Sequence, residues 1–159
     1  VSGVVQKAHS TIQDIHFGIR SWLGQETKFK NRFVAAWAAF HRHKGELCNK
    51  FYCLRDRVKL FDAVVSPTVL YASGVWALTL SMEGRLRTIW RRMLRYVFRV
   101  HRHKDEDWVQ FVRRSAQTVD SIARDMEMED WVSAYRRRKW RLADKLARCT
   151  DNRWSKQIL

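Results

Sequence analysis

Four arginines, Arg87, Arg91, Arg95 and Arg99, are spaced for phosphate chemistry. A guanidinium grips phosphate at two points and stacks on flat rings. Steps of four place these residues along one slowly turning helix face. Arg85, Arg92 and Arg102 widen it, and Glu83 is the one acid nearby. Like charges at this spacing destabilise an isolated helix by about 0.2–0.5 kcal/mol per pair. A nucleic-acid backbone would offset that by releasing its counterions. A solvated face, or arginine stems laid over apolar neighbours, would give the same pattern without a ligand. A second basic run, Arg137, Arg141, Lys145 and Arg148, repeats the rhythm, with Arg136, Arg138 and Lys139 beside it. Trp140 and Trp154 lie among these charges. Either could stack on a base if exposed, but core or interface packing is the expectation for both.

Other chemistry is thinly represented. His41, His43, Cys48 and Cys53 form a quartet whose spacing matches no common zinc site. Asp105-Glu106-Asp107 and the acids from Glu127 to Asp130 are carboxylate clusters. Two-metal chemistry needs carboxylates converging from separate elements, whereas a helix N-terminus accounts for a local cluster directly. There is no Gly-rich phosphate loop, no Ser/His/Asp pattern and no Asp-Asp pair. The expectation is therefore no catalytic residue, no metal ligand, no cofactor and no small-molecule substrate in this chain.

The composition frames the partner. In 159 residues, 31 Lys and Arg face 16 Asp and Glu, a formal net charge of +15. Hydrophobic residues make up 46%, with eight Trp and eight Phe, so this is not a disordered basic tail. No apolar run approaches the roughly 18 residues of a membrane span. Three Cys argue against a disulfide scaffold and for a reducing, intracellular compartment. The charge is blocked: residues 81–104 carry eight basic and one acidic side chain, and residues 105–130 carry three and eight. Residues 131–159 return to nine and two. Some mutual neutralisation between these blocks is expected. Arg outnumbers Lys 21 to 10, more than solubility requires.

The elements that must position these side chains read as helices. One Pro and six Gly leave few breakers, and no alternating strand pattern of useful length occurs. Val5, Ala8, Ile12, Ile15, Ile19 and Trp22 form a stripe that Gly24 could end. A helix from about Asn31 to Leu47 presents Phe33, Trp37 and Phe40. The next, from about Leu54 to Val65, presents Leu54, Val58, Phe61 and Val65. Ser66-Pro67 then reads as a cap and first position, giving a kink or a fresh helix. Ser81 can cap a helix carrying Leu86, Ile89, Trp90, Met93, Leu94 and Val97. Asp105 can cap another with Trp108, Val112, Ala116, Val119 and Ile122. A long helix covers about Glu129 to Cys149, and Asp151 or Asn152 could start one more turn. The fold class is all-α, a bundle of six or seven helices with no significant sheet. His-Arg-His-Lys occurs at 41–44 and at 101–104 with nothing matching around it, which reads as chance.

Residues 57–76 carry a more specific signal. Lys59, Leu60, Val65, Pro67, Leu70, Tyr71 and Trp76 resemble a thumb segment of reverse transcriptases from non-LTR retrotransposons, a LINE-type family. Ala72 stands where Gly is usual, and Gly74 where Glu is usual. Arg32, Ala36-Trp37 and Phe40 resemble the first thumb helix. Leu86 and Arg91-Arg92-Met93-Leu94-Arg95 resemble the helix that follows. Trp131, Arg138, Trp140, Ala143, Arg148 and Arg153-Trp154 resemble a stretch near the end of such reading frames. The resemblance covers about residues 30–155. With the Val5–Trp22 stripe read as an N-terminal amphipathic helix and linker at 1–29, it implies a thumb-like helical bundle at 30–104 and a C-terminal basic helical region, truncated at its end, at 105–159. The family's metal- and nucleotide-binding motifs lie upstream and are not in this sequence, so Mg²⁺ is expected only with the palm. The start at Val1 fits a fragment or a degenerate copy.

A thumb holds a template–primer duplex through its backbone, without reading sequence. The expected contacts are Arg87, Arg91, Arg92, Arg95 and Arg99 on one side, and Arg137, Arg141, Lys145 and Arg148 on the other. The expected partners are an RNA–DNA hybrid or duplex and the palm and fingers of the parent polymerase, with no membrane and a nuclear location. The rival readings are a helical protein-interaction module and a non-functional remnant; a standalone nuclease has little support. A thumb away from its palm should leave an apolar face uncovered.

Overall fold

The structure, a computed structural model, describes Gly24 and residues 26–148. Among them the chain is all-α, with no strand. Helix α1 covers residues 26–42. Then follow α2 (Lys44–Leu47), α3 (Leu54–Val69), a 3₁₀ turn (Ser73–Val75), α4 (Leu80–Val97), α5 (Trp108–Asp125) and α6 (Trp131–Arg148). The Val5–Trp22 stripe, Asp151, Asn152 and Trp154 lie outside the described residues. Gly24 is itself helical, and the single helix expected to Leu47 breaks at His43 into α1 and α2.

Side-chain acceptors fix where three helices begin. Thr79 Oγ1 accepts from the Met82 amide at 3.3 Å, so α4 starts ahead of Ser81, the expected cap. Asp107, not Asp105, caps α5: it accepts from Val109 N at 3.0 Å, and Gln110 Oε1 accepts from Asp107 N at 3.3 Å. This reciprocal pair satisfies donors that the first turn would otherwise leave open. Asp130 accepts from the amides of Val132 and Ser133 and starts α6. Both carboxylate clusters are thus anchored by a cap, as the helix N-terminus argument expects.

Pro67 does not begin a helix. α3 runs through it to Val69. A proline there costs the helix one amide donor, and contacts to α6 hold the segment in place. Ser66 Oγ donates to Asp62 Oδ1 at 3.0 Å and accepts from Trp131 Nε1 at 2.9 Å. The Trp131 ring also stacks on Phe61, 5.9 Å between centroids and 4° between planes.

One core collects residues from α1 to α6. Phe33 and Phe40 meet Phe61 and Val65, then Leu86, Trp90, Met93 and Val97, then Val119, Trp131 and Tyr135. The stripes of α3 and α4 face inward as their spacing predicts, with Leu54 and Ile89 only partly covered. The α5 face is turned from the expectation: Phe111, Ser115, Val119 and Ala123 are buried, while Trp108 and Val112 are exposed. That rotation places Ser115 and Asp120 beside α4.

α6 is clamped onto the 3₁₀ turn. Arg138 Nη1 donates to the Leu70 carbonyl at 2.6 Å. Tyr135 Oη donates to the Trp76 carbonyl at 3.1 Å and accepts from Leu78 N at 3.4 Å. A Cβ on Gly74 would sit 3.3 Å from the Arg138 carbonyl oxygen. Glycine there permits the close approach of α6, which the Glu usual in the resembled pattern would obstruct. Among the described residues no helix is long and apolar enough to cross a membrane.

Candidate nucleic-acid interface

The four-step arginine row on α4 is not one open surface. α5 packs along its middle. Arg91 reaches Asp120 with two bonds, Nε to Oδ1 at 2.8 Å and Nη2 to Oδ2 at 2.6 Å. Arg95 is partly buried, donates to Ser115 Oγ at 3.4 Å and lies 5.5 Å from the Phe111 ring centre. Burial, with Arg92 next to it, pushes the Arg95 pKa down. These two residues form a helix seam, Arg91 paired with a carboxylate and Arg95 with a hydroxyl and a ring.

The ends of the row behave differently. Arg87 is exposed, with no partner among the described residues. Arg99 lies just past α4 in a left-handed conformation, φ 57°. There Arg99 N donates to Tyr96 O at 3.2 Å and Val100 N to Arg95 O at 2.9 Å. These are the paired bonds of a Schellman C-cap, and they leave the Arg99 side chain exposed. Arg92 is exposed, its guanidinium 5.7 Å from the Trp37 ring centre.

The second run divides in the same way. Arg137 is held by Glu129 through Nε at 2.8 Å and a second bond from Nη2. Arg148 pairs with Asp144 one turn back at 2.9 Å. Arg136, beside the run, reaches Glu83 on α4. Arg141 and Lys145 are exposed without a partner among the described residues. Trp140 is 75% exposed, so it is not packed in the core; of the expectations for it, interface packing and base stacking remain.

The acidic block therefore supplies neutralisation: Asp120 and Glu129 cancel one arginine from each run. Glu106 is used within the block itself, against Arg114 at 2.7 Å. The Arg114 guanidinium, with the His103 amide, pulls the Glu106 carboxyl down to about 2. What remains of the nine expected contacts is Arg87, Arg92, Arg99, Arg141 and Lys145.

Sequence spacing missed an aromatic cleft of about 270 Å³ between α1 and α4. Trp37, Phe40, His41, Lys44, Arg92 and Tyr96 line it. Trp37, Phe40 and Arg92 are each visible in the sequence, but not that α1 and α4 bring them together. The metal quartet does not form: among the described residues no three His, Cys, Asp or Glu side chains gather around a common point. Cys48 is half-buried and Cys53 is exposed. Burial pushes the Cys48 thiol up, while Lys44, Arg57 and Arg99 nearby pull it back.

The chain is similar to a putative uncharacterized transposon-derived protein of Caenorhabditis elegans, 29% identical over 125 residues. The aligned part is 76% of this chain and 40% of that protein. No family model matches the chain. No solved structure matches it either.

Proposed function

We propose that this chain is a helical nucleic-acid grip of retroelement origin, the thumb and post-thumb region of a reverse transcriptase. It holds a template–primer duplex by its phosphates, without sequence specificity, while catalytic parts of the parent polymerase do the chemistry. Mg²⁺ enters only with those parts. The transposon-derived relative supports the origin. The observation that carries the binding role is the cation set left after internal pairing: Arg87, Arg92, Arg99, Arg141 and Lys145. Duplex phosphates are the natural counter-charge for such a set.

Two double reversals test this reading, Arg87→Glu with Arg99→Glu and Arg141→Glu with Lys145→Glu. Each removes only charge that has no acidic partner among the described residues. Each should weaken binding to an RNA–DNA hybrid at least tenfold and lower the salt slope by about 0.9 for every phosphate no longer gripped. Unchanged affinity in both would sink the phosphate grip.

A protein-interaction role draws on a different observation. Tyr71, Val75 and Leu80 are exposed around the 3₁₀ turn, and Trp108, Val109 and Val112 at the start of α5. In the thumb reading the first group faces the palm. Removing it by Val75→Ser with Leu80→Ser should improve solubility and leave hybrid affinity unchanged.

A further inference from the structure

We propose that the cleft between α1 and α4 is a stacking subsite for one unpaired nucleobase at the edge of the grip. The inference rests on the nucleic-acid reading above and adds a single-strand contact to it. The cleft joins rings and cations. His41 stacks on Trp37 with 5.7 Å between centroids and 29° between planes. Tyr96 meets Trp37 edge-on at 6.2 Å. Phe40 is buried behind them. His41 is exposed and Tyr96 is 48% exposed, so ring surface remains open to an incoming base.

The charges fit the same occupant. Arg92 and Lys44 line the cleft, both exposed and neither paired with an acid among the described residues. No carboxylate lines the cleft. Stacking tolerates any base because each has a π face, and flanking cations track the backbone. Size selects the occupant. Sites for drug-sized ligands run about 300–1,000 Å³, so a cleft of about 270 Å³ takes one ring system. A base inside a duplex hides both faces; an unpaired one offers them.

The test uses the full chain and short single strands, one ribo and one deoxy, each carrying a single 2-aminopurine. Stacking quenches that fluorophore. Wild type should quench it, and the strand quenched more strongly identifies RNA or DNA as the source. His41→Ala and Tyr96→Ala, checked for unchanged helical content and melting, should each lower single-strand affinity about tenfold. Their affinity for a fully paired hybrid should stay the same. Trp37→Phe should retain the quench. Salt-dependent binding without any quench overturns the subsite, as do equal reductions on single strand and hybrid; the phosphate grip would survive either result. Failure of wild type to bind any nucleic acid at low salt overturns both readings together.

Discussion

Ala72 shows most directly how a residue type meets a backbone demand. It occupies the left-handed region at φ 54°, immediately before the 3₁₀ turn. A side chain there costs about 1–2 kcal/mol, whereas glycine adopts it freely. Ala72→Gly should therefore raise unfolding stability by about 1 kcal/mol in denaturant titration. No gain would mean the turn is not held in this conformation. Glu106 makes a second prediction. Its carboxyl is held at about 2 by the Arg114 hydrogen bond, below its ordinary value near 4.5. A lowered pKa in the folded protein gives stability that is full above about 4.5 and fades as pH falls toward 2. Glu106→Gln should thus cost stability at neutral pH, and the difference from wild type should vanish near pH 2. A difference constant over that window would show that the ion pair contributes nothing. The sequence made the cap role of these acids readable, because helix starts and acids coincide. It did not show which acid serves, since Asp105 and Asp107 differ only in how the chain enters α5.

The pairing of α4 with α5 decides what the arginine row can do. Double-mutant cycles on Arg91 and Asp120, both 34% exposed, should give a coupling of about 0.5–1 kcal/mol in stability. Pairing Arg87 with Asp120 in the same cycle should give none. Zero coupling for the first pair would mean that α5 does not rest on this face. The inward stripes of α3 and α4 were legible in the spacing, because burial demands apolar side chains at fixed steps. The covering of Arg91 and Arg95 was not: a four-residue step states that residues share a face, never what lies over it. The clue was in the partner helix, where Ser115 and Asp120 replace apolar residues on or beside the buried side. Trp108 and Val112 are equally apolar, so the expected stripe is rotated toward them, with Val119 the buried residue common to both faces. Pro67 misled for a related reason. Ser-Pro favours a helix start locally, yet Trp131, far along the chain, binds Ser66 and keeps α3 continuous.

For the whole molecule, net charge is a better guide than any single run. Of the 27 basic side chains among the described residues, the seven ion pairs there engage seven. The excess is a long-range field that draws polyanions from any direction and weakens with salt. All-α architecture was legible from scarce breakers and helical spacing. The aromatic cleft was not, because its rings come from α1 and α4, more than fifty residues apart. The central claim is that the remaining cations grip nucleic-acid phosphates. The most direct measurement is affinity of the full chain for a labelled RNA–DNA hybrid across a salt series. About five phosphate contacts predict a log–log slope near −4.5, on the basis of about −0.9 per phosphate, similar for unrelated sequences. A flat salt dependence, or no binding at low salt, would contradict the phosphate grip.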